Sequence, residues 1–351
     1  MRKLTRRSFN AMTLAGVTAP SLSAFGQTSA EVNILGYDGI FNDSYVKAVV
    51  EPFTKATGIK VSYRPVQLSA QNLGLLRAQK GNPTVDLSIM DAMISRTGNQ
   101  EGIFEEVGSK EVPNISDLYE EALINQPFGP AVTFDHCVMV YNRELVTPPP
   151  TSLADMWKPE FRGKIAMNSA PEISALMNML LINRQLGADE TKTVQPAIDR
   201  LKELAPSVQT WSPMPDQQTL IINGTALIGT SWNARSQYYS KVSQGKLGVL
   251  IPSEGSMFQI NTINLVKGAP AKDAALRFMN YALSPEAQAA FTDLIYYAPT
   301  NKKAQPSADA LQRTAAAPEN RAKMKPLDWT FFMNQREGWL QQWRRQILTA
   351  R

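Results

Sequence analysis

In Phe258-Gln259-Ile260-Asn261-Thr262-Ile263-Asn264-Leu265 apolar and polar residues alternate. The pattern predicts a strand with Phe258, Ile260, Ile263 and Leu265 mostly buried and Gln259 and Asn261 on one shared face. Two amides side by side donate and accept hydrogen bonds without carrying charge, which suits recognition of a polar solute. Charged and aromatic groups stand at other predicted strand ends. Tyr37 and Asp38 lie in the turn Gly36-Tyr37-Asp38-Gly39, and Asp91 follows the strand 85–90. Trp232 follows the buried strand 225–230, where its flat face can stack on alkyl or cationic groups. Arg235, one helical turn beyond Ser231, can reach a carboxylate. Plainer readings stand beside these: Asp91 can cap the next helix, Trp232 can belong to a core, and Arg235 can be a solvated helix residue.

Nucleophilic and metal chemistry find little support. One histidine and one cysteine leave no Cys/His pair, no metal-ligand spacing and no G-x-S-x-G elbow. Asp135 and His136 are neighbours in Phe134-Asp135-His136-Cys137, and strand neighbours point to opposite faces, so His136 is expected to be structural. Cys137 lies in the apolar run 137–141, where a packed core thiol is expected. The pairs Tyr238-Tyr239 and Tyr296-Tyr297 offer hard oxygen donors that suit a trivalent cation, the one metal alternative.

These residues must be positioned by an α/β framework. Strands are predicted at 31–36, 59–63 and 85–90, alternating with helices over 43–56 and 69–79, which argues for a largely parallel sheet with crossover helices. In such sheets ligands sit outside the carboxyl ends of the strands, which brings Tyr37, Asp38 and Asp91 to one edge. Thr147-Pro148-Pro149-Pro150 reads as a stiff boundary. A second α/β unit follows, with strands at 164–167, 225–230 and 248–251 and helices from Pro171-Glu172 towards Gln185 and over 198–204. Helices over 270–283, 285–294 and 336–348 close the chain. No repeat or low-complexity segment interrupts this order.

With 351 residues, 43% of them hydrophobic, the chain is expected to form two domains. No apolar run reaches transmembrane length, so a soluble mature protein is expected. Arg2, Lys3, Arg6 and Arg7 precede a modestly apolar segment, 11–19, and then small residues. Thr5-Arg6-Arg7-Ser8-Phe9 resembles a twin-arginine export signal, with cleavage expected after Gly26 or Ala30. Removing residues 1–26 leaves 32 of the 36 basic residues against 31 acidic ones, so the basic balance belongs to the signal and nucleic acid is not an implied partner.

The run Leu153-Ala154-Asp155-Met156-Trp157-Lys158-Pro159-Glu160-Phe161-Arg162-Gly163-Lys164 resembles the lobe-entry motif of polyamine-type (spermidine/putrescine-like) periplasmic solute-binding proteins of ABC importers. Three further stretches agree with it: Phe53–Val61, Ser284-Pro285-Glu286-Ala287-Gln288 and Tyr297-Ala298-Pro299-Thr300-Asn301. The resemblance covers most of the chain after the signal. It implies a two-lobed fold with mixed sheets and a hinge, closing on a small solute for delivery to a membrane permease. On this resemblance lobe 1 is expected over 31–135 and 265–300, lobe 2 over 140–260, and a C-terminal helical segment, 301–351, packing on both. A monomer without cofactor or catalysis is expected.

The family's binding positions fall on Tyr37, Asp91, Met93, Trp232, Asn233 and Tyr297. Two departures stand out. Gln259 and Asn261 replace the tryptophan and aspartate of polyamine binders, and only Glu172 remains where those proteins place two carboxylates. A buried ammonium without a counter-charge costs several kcal/mol, so the missing aspartate argues against simple diamine binding unless Asp91, with Asp38 or Glu172, restores the charge. Asn261 is expected to face an amide, hydroxyl or carboxylate as readily as an amine. The solute is therefore expected to be polyamine-like or another amine, with an opine, amino acid, organic acid or ferric iron as alternatives. Ferric-binding relatives use paired tyrosines, but Tyr238-Tyr239 comes a turn too late after Trp232-Asn233 for their motif.

Overall fold

The structure is a computed structural model that describes residues 31–350. The expected export signal and its cleavage position lie outside the described residues. Nine strands follow in chain order: β1 (Val32–Tyr37), β2 (Val61–Val66), β3 (Leu87–Asp91), β4 (Ala131–Asn142), β5 (Ile165–Ala166), β6 (Val208–Thr210), β7 (Ile228–Trp232), β8 (Leu247–Leu250) and β9 (Phe258–Leu265). They are hydrogen-bonded in the order β2-β1-β3-β9-β4-β7-β5-β6, with β8 also on β4. Parallel pairing holds for β1 with β2 and β3 and for β5 with β6 and β7. By contrast, β4 and β9 pair with their neighbours antiparallel. The arrangement is thus mixed, as the family resemblance implies, where strand-helix alternation alone argued for a largely parallel sheet. Strand-helix alternation announces the parallel parts, but nothing local tells β9 to insert between β3 and β4.

The two lobes follow from β4. All of its residues are buried. Residues from Ala131 to His136 pair with β9, while those from Cys137 onward pair with β7 and β8. One strand therefore serves two sheets. Around the first gathers a core that includes Ile34, Phe53, Leu87, Phe134 and Phe278. Around the second gathers one that includes Met139, Ile165, Leu176, Leu201 and Ile228. Because β9 pairs along its whole length with β3 and the first half of β4, the second crossing lies before Phe258, upstream of the boundary expected between residues 260 and 265.

A third crossing is made by the C-terminal segment. Lys325 N donates to Ser256 O at 2.7 Å and Ser256 N donates to Lys323 O at 3.1 Å. The Ser256 hydroxyl also donates to Cys137 O at 2.7 Å, so one fully buried serine ties all three crossing segments together. Gly255 permits this approach. Its φ is +86°, and a Cβ there would stand 2.4 Å from Lys323 O. Beyond it the helix Trp329–Gln346 inserts Phe332, Trp339, Leu340 and Trp343 into the lobe 2 core. This helix begins well before residue 336, and Asp328 caps it by accepting from Phe331 N at 2.9 Å.

Candidate functional site

The register of three strands builds a polar belt on lobe 1. Asp91 of β3 stands opposite Asn261 of β9, Asn261 opposite Thr133 of β4, and Gln259 opposite Asp135. Residues paired across a sheet share a face, so all five project the same way. Tyr37 joins them from the end of β1: its hydroxyl donates to Asn261 Oδ1 at 2.8 Å and lies 2.8 Å from Ser69 Oγ. Gln259 Nε2 donates to Asn261 Oδ1 at 2.6 Å and to Asp91 Oδ2 at 3.2 Å. Asn261 Nδ2 donates to Thr133 Oγ1 at 3.0 Å.

Asn261 is therefore a fastening rather than an open contact. Its oxygen takes two internal donors and its nitrogen serves Thr133, and the residue is 1% exposed. This corrects the expectation that it faces the solute. Gln259, half-buried, stands nearer the surface of the belt. Replacing Asn261 by aspartate would set a second carboxylate directly opposite Asp91. The melting temperature at pH 7 is expected to fall by roughly 3–8 °C, since like charges in a buried site cannot both ionise freely. Putrescine affinity is expected to rise at least about 10-fold, the new charge lying within reach of an ammonium. Unchanged calorimetric binding would remove β9 from the solute's surroundings.

Asp91 has two roles. Its Oδ1 accepts from Met93 N at 2.8 Å, capping the helix Ala92–Gln100, while Oδ2 faces Gln259. Burial raises its carboxyl to about 6, and the charge of Glu172 pushes the same way, although hydrogen bonds from Met93, Gln259 and Ile94 oppose this. Met93 itself is 3% exposed and contributes its backbone, not a surface. Asp38 is half-buried at the turn, where its N–H donates to Val66 O at 3.2 Å.

Further predicted residues lie on lobe 2. Glu172 caps the helix Ile173–Gln185, with Oε2 accepting from Ser174 N at 2.8 Å and from Ser174 Oγ at 2.6 Å. Its other oxygen accepts from Trp232 Nε1 at 3.4 Å. Trp232, half-buried, ends β7 and precedes the helix Asn233–Val242. Asn233 turns away from this surface. It is 2% exposed, donates to Arg313 O at 2.9 Å and accepts from Gln237, so it holds the third crossing segment. Tyr297 is half-buried and shares Phe41 with Tyr37, the rings meeting edge to face at 5.4 and 5.3 Å. Burial pushes its phenol up, and so does the nearby charge of Asp135.

Three residues absent from the sequence-based set, Ser69, Thr133 and Asp135, complete the picture, together with Arg235, which the sequence offered as a carboxylate contact. Asp135 had a signal available, since an acid inside the otherwise buried run 131–138 rarely stands without a function or a fixed set of partners. The tyrosine pairs are occupied elsewhere. Tyr239 donates to Asp216 Oδ2 at 2.9 Å, and the buried Tyr296 reaches Asp309 at 3.5 Å. Among the described residues no group of three or more His, Cys, Asp or Glu side chains is placed to hold a metal ion. His136 is 1% exposed, and burial pushes its imidazole down to about 3. A cavity of about 540 Å³ lined by Phe53, Asn114, Asp273, Arg277 and Tyr281 shares no residue with the belt, and it brings together neither the buried carboxylate nor the tryptophan.

Two α/β lobes joined by three crossings, with carboxylates and aromatic rings at the strand ends of each, define a binding protein that holds a small solute between its lobes. Residues 48–319 match the bacterial extracellular solute-binding protein family, and the chain belongs to it. It is similar to the spermidine/putrescine-binding periplasmic protein of Escherichia coli (strain K12), 24% identical over 298 residues that cover 83% of this chain and 84% of that protein. It is also similar to the gamma-aminobutyric acid-binding protein of Pseudomonas aeruginosa, 24% identical over 297 residues, 78% of each chain. Among solved structures it superposes on the binding protein AgtB of A. tumefaciens R10 in complex with agropinic acid with a TM-score of 0.72 at 21% identity. That match covers 91% of this chain and 99% of the other. No helix among the described residues is long and apolar enough to cross a membrane.

Proposed function

We propose that this chain is the receptor subunit of an ABC importer, exported through its twin-arginine segment, and that it captures an amine-bearing organic solute for the permease. The observation that carries the reading is one carboxylate on each lobe, Asp91 buried at the end of β3 and Glu172 capping a lobe 2 helix against Trp232. Two carboxylates brought together across a cleft repel one another, and an ammonium between them turns that repulsion into attraction on both sides. A cationic solute thereby favours the closed form over the open one, which is what a permease must distinguish. Trp232 lies against Glu172 and offers the flat face for the solute's alkyl or cationic part. The relatives named for spermidine and putrescine and for gamma-aminobutyric acid bind amines, which agrees with this chemistry.

A thermal-shift screen tests it. Putrescine, spermidine, 4-aminobutanoate and amino acids are compared with citrate and with ferric citrate. At least one amine is expected to raise the melting temperature by roughly 4 °C or more at millimolar concentration, while citrate does not. Stabilisation by citrate alone, or a tyrosinate-to-iron absorption band with ferric salt, would replace this reading with an acid or iron carrier.

A further inference from the structure

Arg235 is an exposed guanidinium, and none of the ion pairs among the described residues includes it. It lies in the first turn of the helix Asn233–Val242, just beyond Trp232. Helical side chains lean towards the N-terminus, here towards the end of β7 and the groups gathered there.

Asp135 fixes the location. It is 2% exposed, and its Oδ1 accepts from His136 N at 2.8 Å and from Ala234 N at 3.1 Å. This buried carboxylate of the crossing strand is thus fastened to the residue immediately before Arg235. Across the sheet it stands opposite Gln259, whose amide reaches Asp91. The cleft accordingly has two electrostatic ends. At one, Arg235 follows Ala234, whose N–H is held by Asp135; at the other lie Asp91 at the end of β3 and Glu172 against Trp232. A diamine long enough to span them would set its second ammonium against a guanidinium, whereas a carboxylate there gains a charge-assisted and often two-pronged contact.

We propose that Arg235 receives the carboxylate of the solute while Asp91 and Glu172 receive its ammonium, so that the solute is an amino acid in its zwitterionic form rather than a diamine. The inference rests on the amine reading above and adds the identity of the second charge.

Matched pairs that differ only by the carboxylate test it: L-ornithine against putrescine, L-arginine against agmatine, and 4-aminobutanoate against propylamine, each titrated calorimetrically into the mature protein. At least one acid is expected to bind roughly 30-fold or more tightly than its amine. Arg235→Gln is expected to bring that ratio close to one through loss on the acid side, with the unliganded melting temperature unchanged because the side chain is exposed. Equal binding of acid and amine by the wild type, or a ratio untouched by Arg235→Gln, overturns the inference. If Asp91→Asn still abolishes amine binding in that case, the amine reading stands and the second charge alone was misassigned. Binding of no member of any pair overturns both.

Discussion

Trp232→Ala is expected to weaken solute binding by roughly 30- to 100-fold, which corresponds to about 2–3 kcal/mol for an aromatic face lost from a desolvated contact. The indole is half-buried at the end of β7 and is oriented by its N–H donating to Glu172 Oε1 at 3.4 Å. The variant therefore also frees Glu172 from one of its partners. Because Trp232 packs only at the margin of the lobe 2 core, cooperative unfolding should persist with a melting temperature a few degrees lower. Trp232→Phe keeps a stacking face and loses only the N–H, so it should recover most of the affinity. Calorimetry on the two variants separates the face from the hydrogen bond. Wild-type affinity in Trp232→Ala would remove this residue from the solute site.

The second large effect concerns Asp91. Substitution by asparagine preserves size and can still accept from Met93 N, the capping contact now made by Oδ1. It removes a buried carboxylate at the lobe 1 end of β3. Loss of the ion-paired hydrogen bond to a solute ammonium should weaken binding by roughly 100-fold or more at pH 7. The free protein should move in the opposite direction. Burial raises the Asp91 carboxyl from its ordinary value to about 6, so the fold holds that proton more tightly than the unfolded chain does. The group's contribution to stability is then fully present below pH 4 and is lost as pH rises through 6. A neutral asparagine avoids that loss, and the unliganded variant should be more stable than wild type at pH 7 by an amount on the order of 1 kcal/mol. Weaker binding together with a more stable free protein is the signature of a carboxylate retained for function rather than for packing.

How much of this was legible in the sequence differs element by element. Glycine punctuation and helical spacing located the helix that ends at Thr57 before Gly58, although its π-helical stretch Val46–Val50 leaves no mark in residue types. The alternation in 258–265 located β9, but it breaks at Asn261-Thr262, so Ile263 and Leu265 share the face of Gln259 and Asn261, and both faces are buried from Ile260 onward. It did not give its neighbours, because strand pairing between β3 and residues some 170 positions later is decided by the whole sheet. The third crossing was illegible for a related reason. Its contacts run through backbone atoms of Ser256, Lys323 and Lys325, which carry no side-chain signature.

At the site, strand-end positions and the family resemblance together pointed to Tyr37, Asp91, Glu172, Trp232 and Tyr297, which the structure places at or near strand ends of the two lobes. Asn233 and Met93 were placed by the same resemblance, yet the third crossing engages one and burial in lobe 1 encloses the other. Asn261 was read as a solute contact because its hydrogen-bonding partners, Tyr37 at the end of another strand and Thr133 on β4, are remote in sequence. Arg235 could be read as a carboxylate contact or as a solvated helix residue, and nothing in the sequence chose between them. Only the pairing of Asp135 with the backbone next to it shows what surrounds that guanidinium.

The central claim is that a buried carboxylate on one lobe, Asp91, holds the ammonium of the solute, and its pH dependence tests this most directly. Affinity for the amine identified in the screen is to be measured calorimetrically from pH 5 to pH 8, where an aliphatic ammonium stays charged. With the free Asp91 carboxyl raised to about 6, affinity should be level above pH 7 and fall towards tenfold per pH unit below 6. In Asp91→Asn this dependence should flatten. Wild-type affinity that is constant across this range, or that falls equally in the variant, would contradict the account.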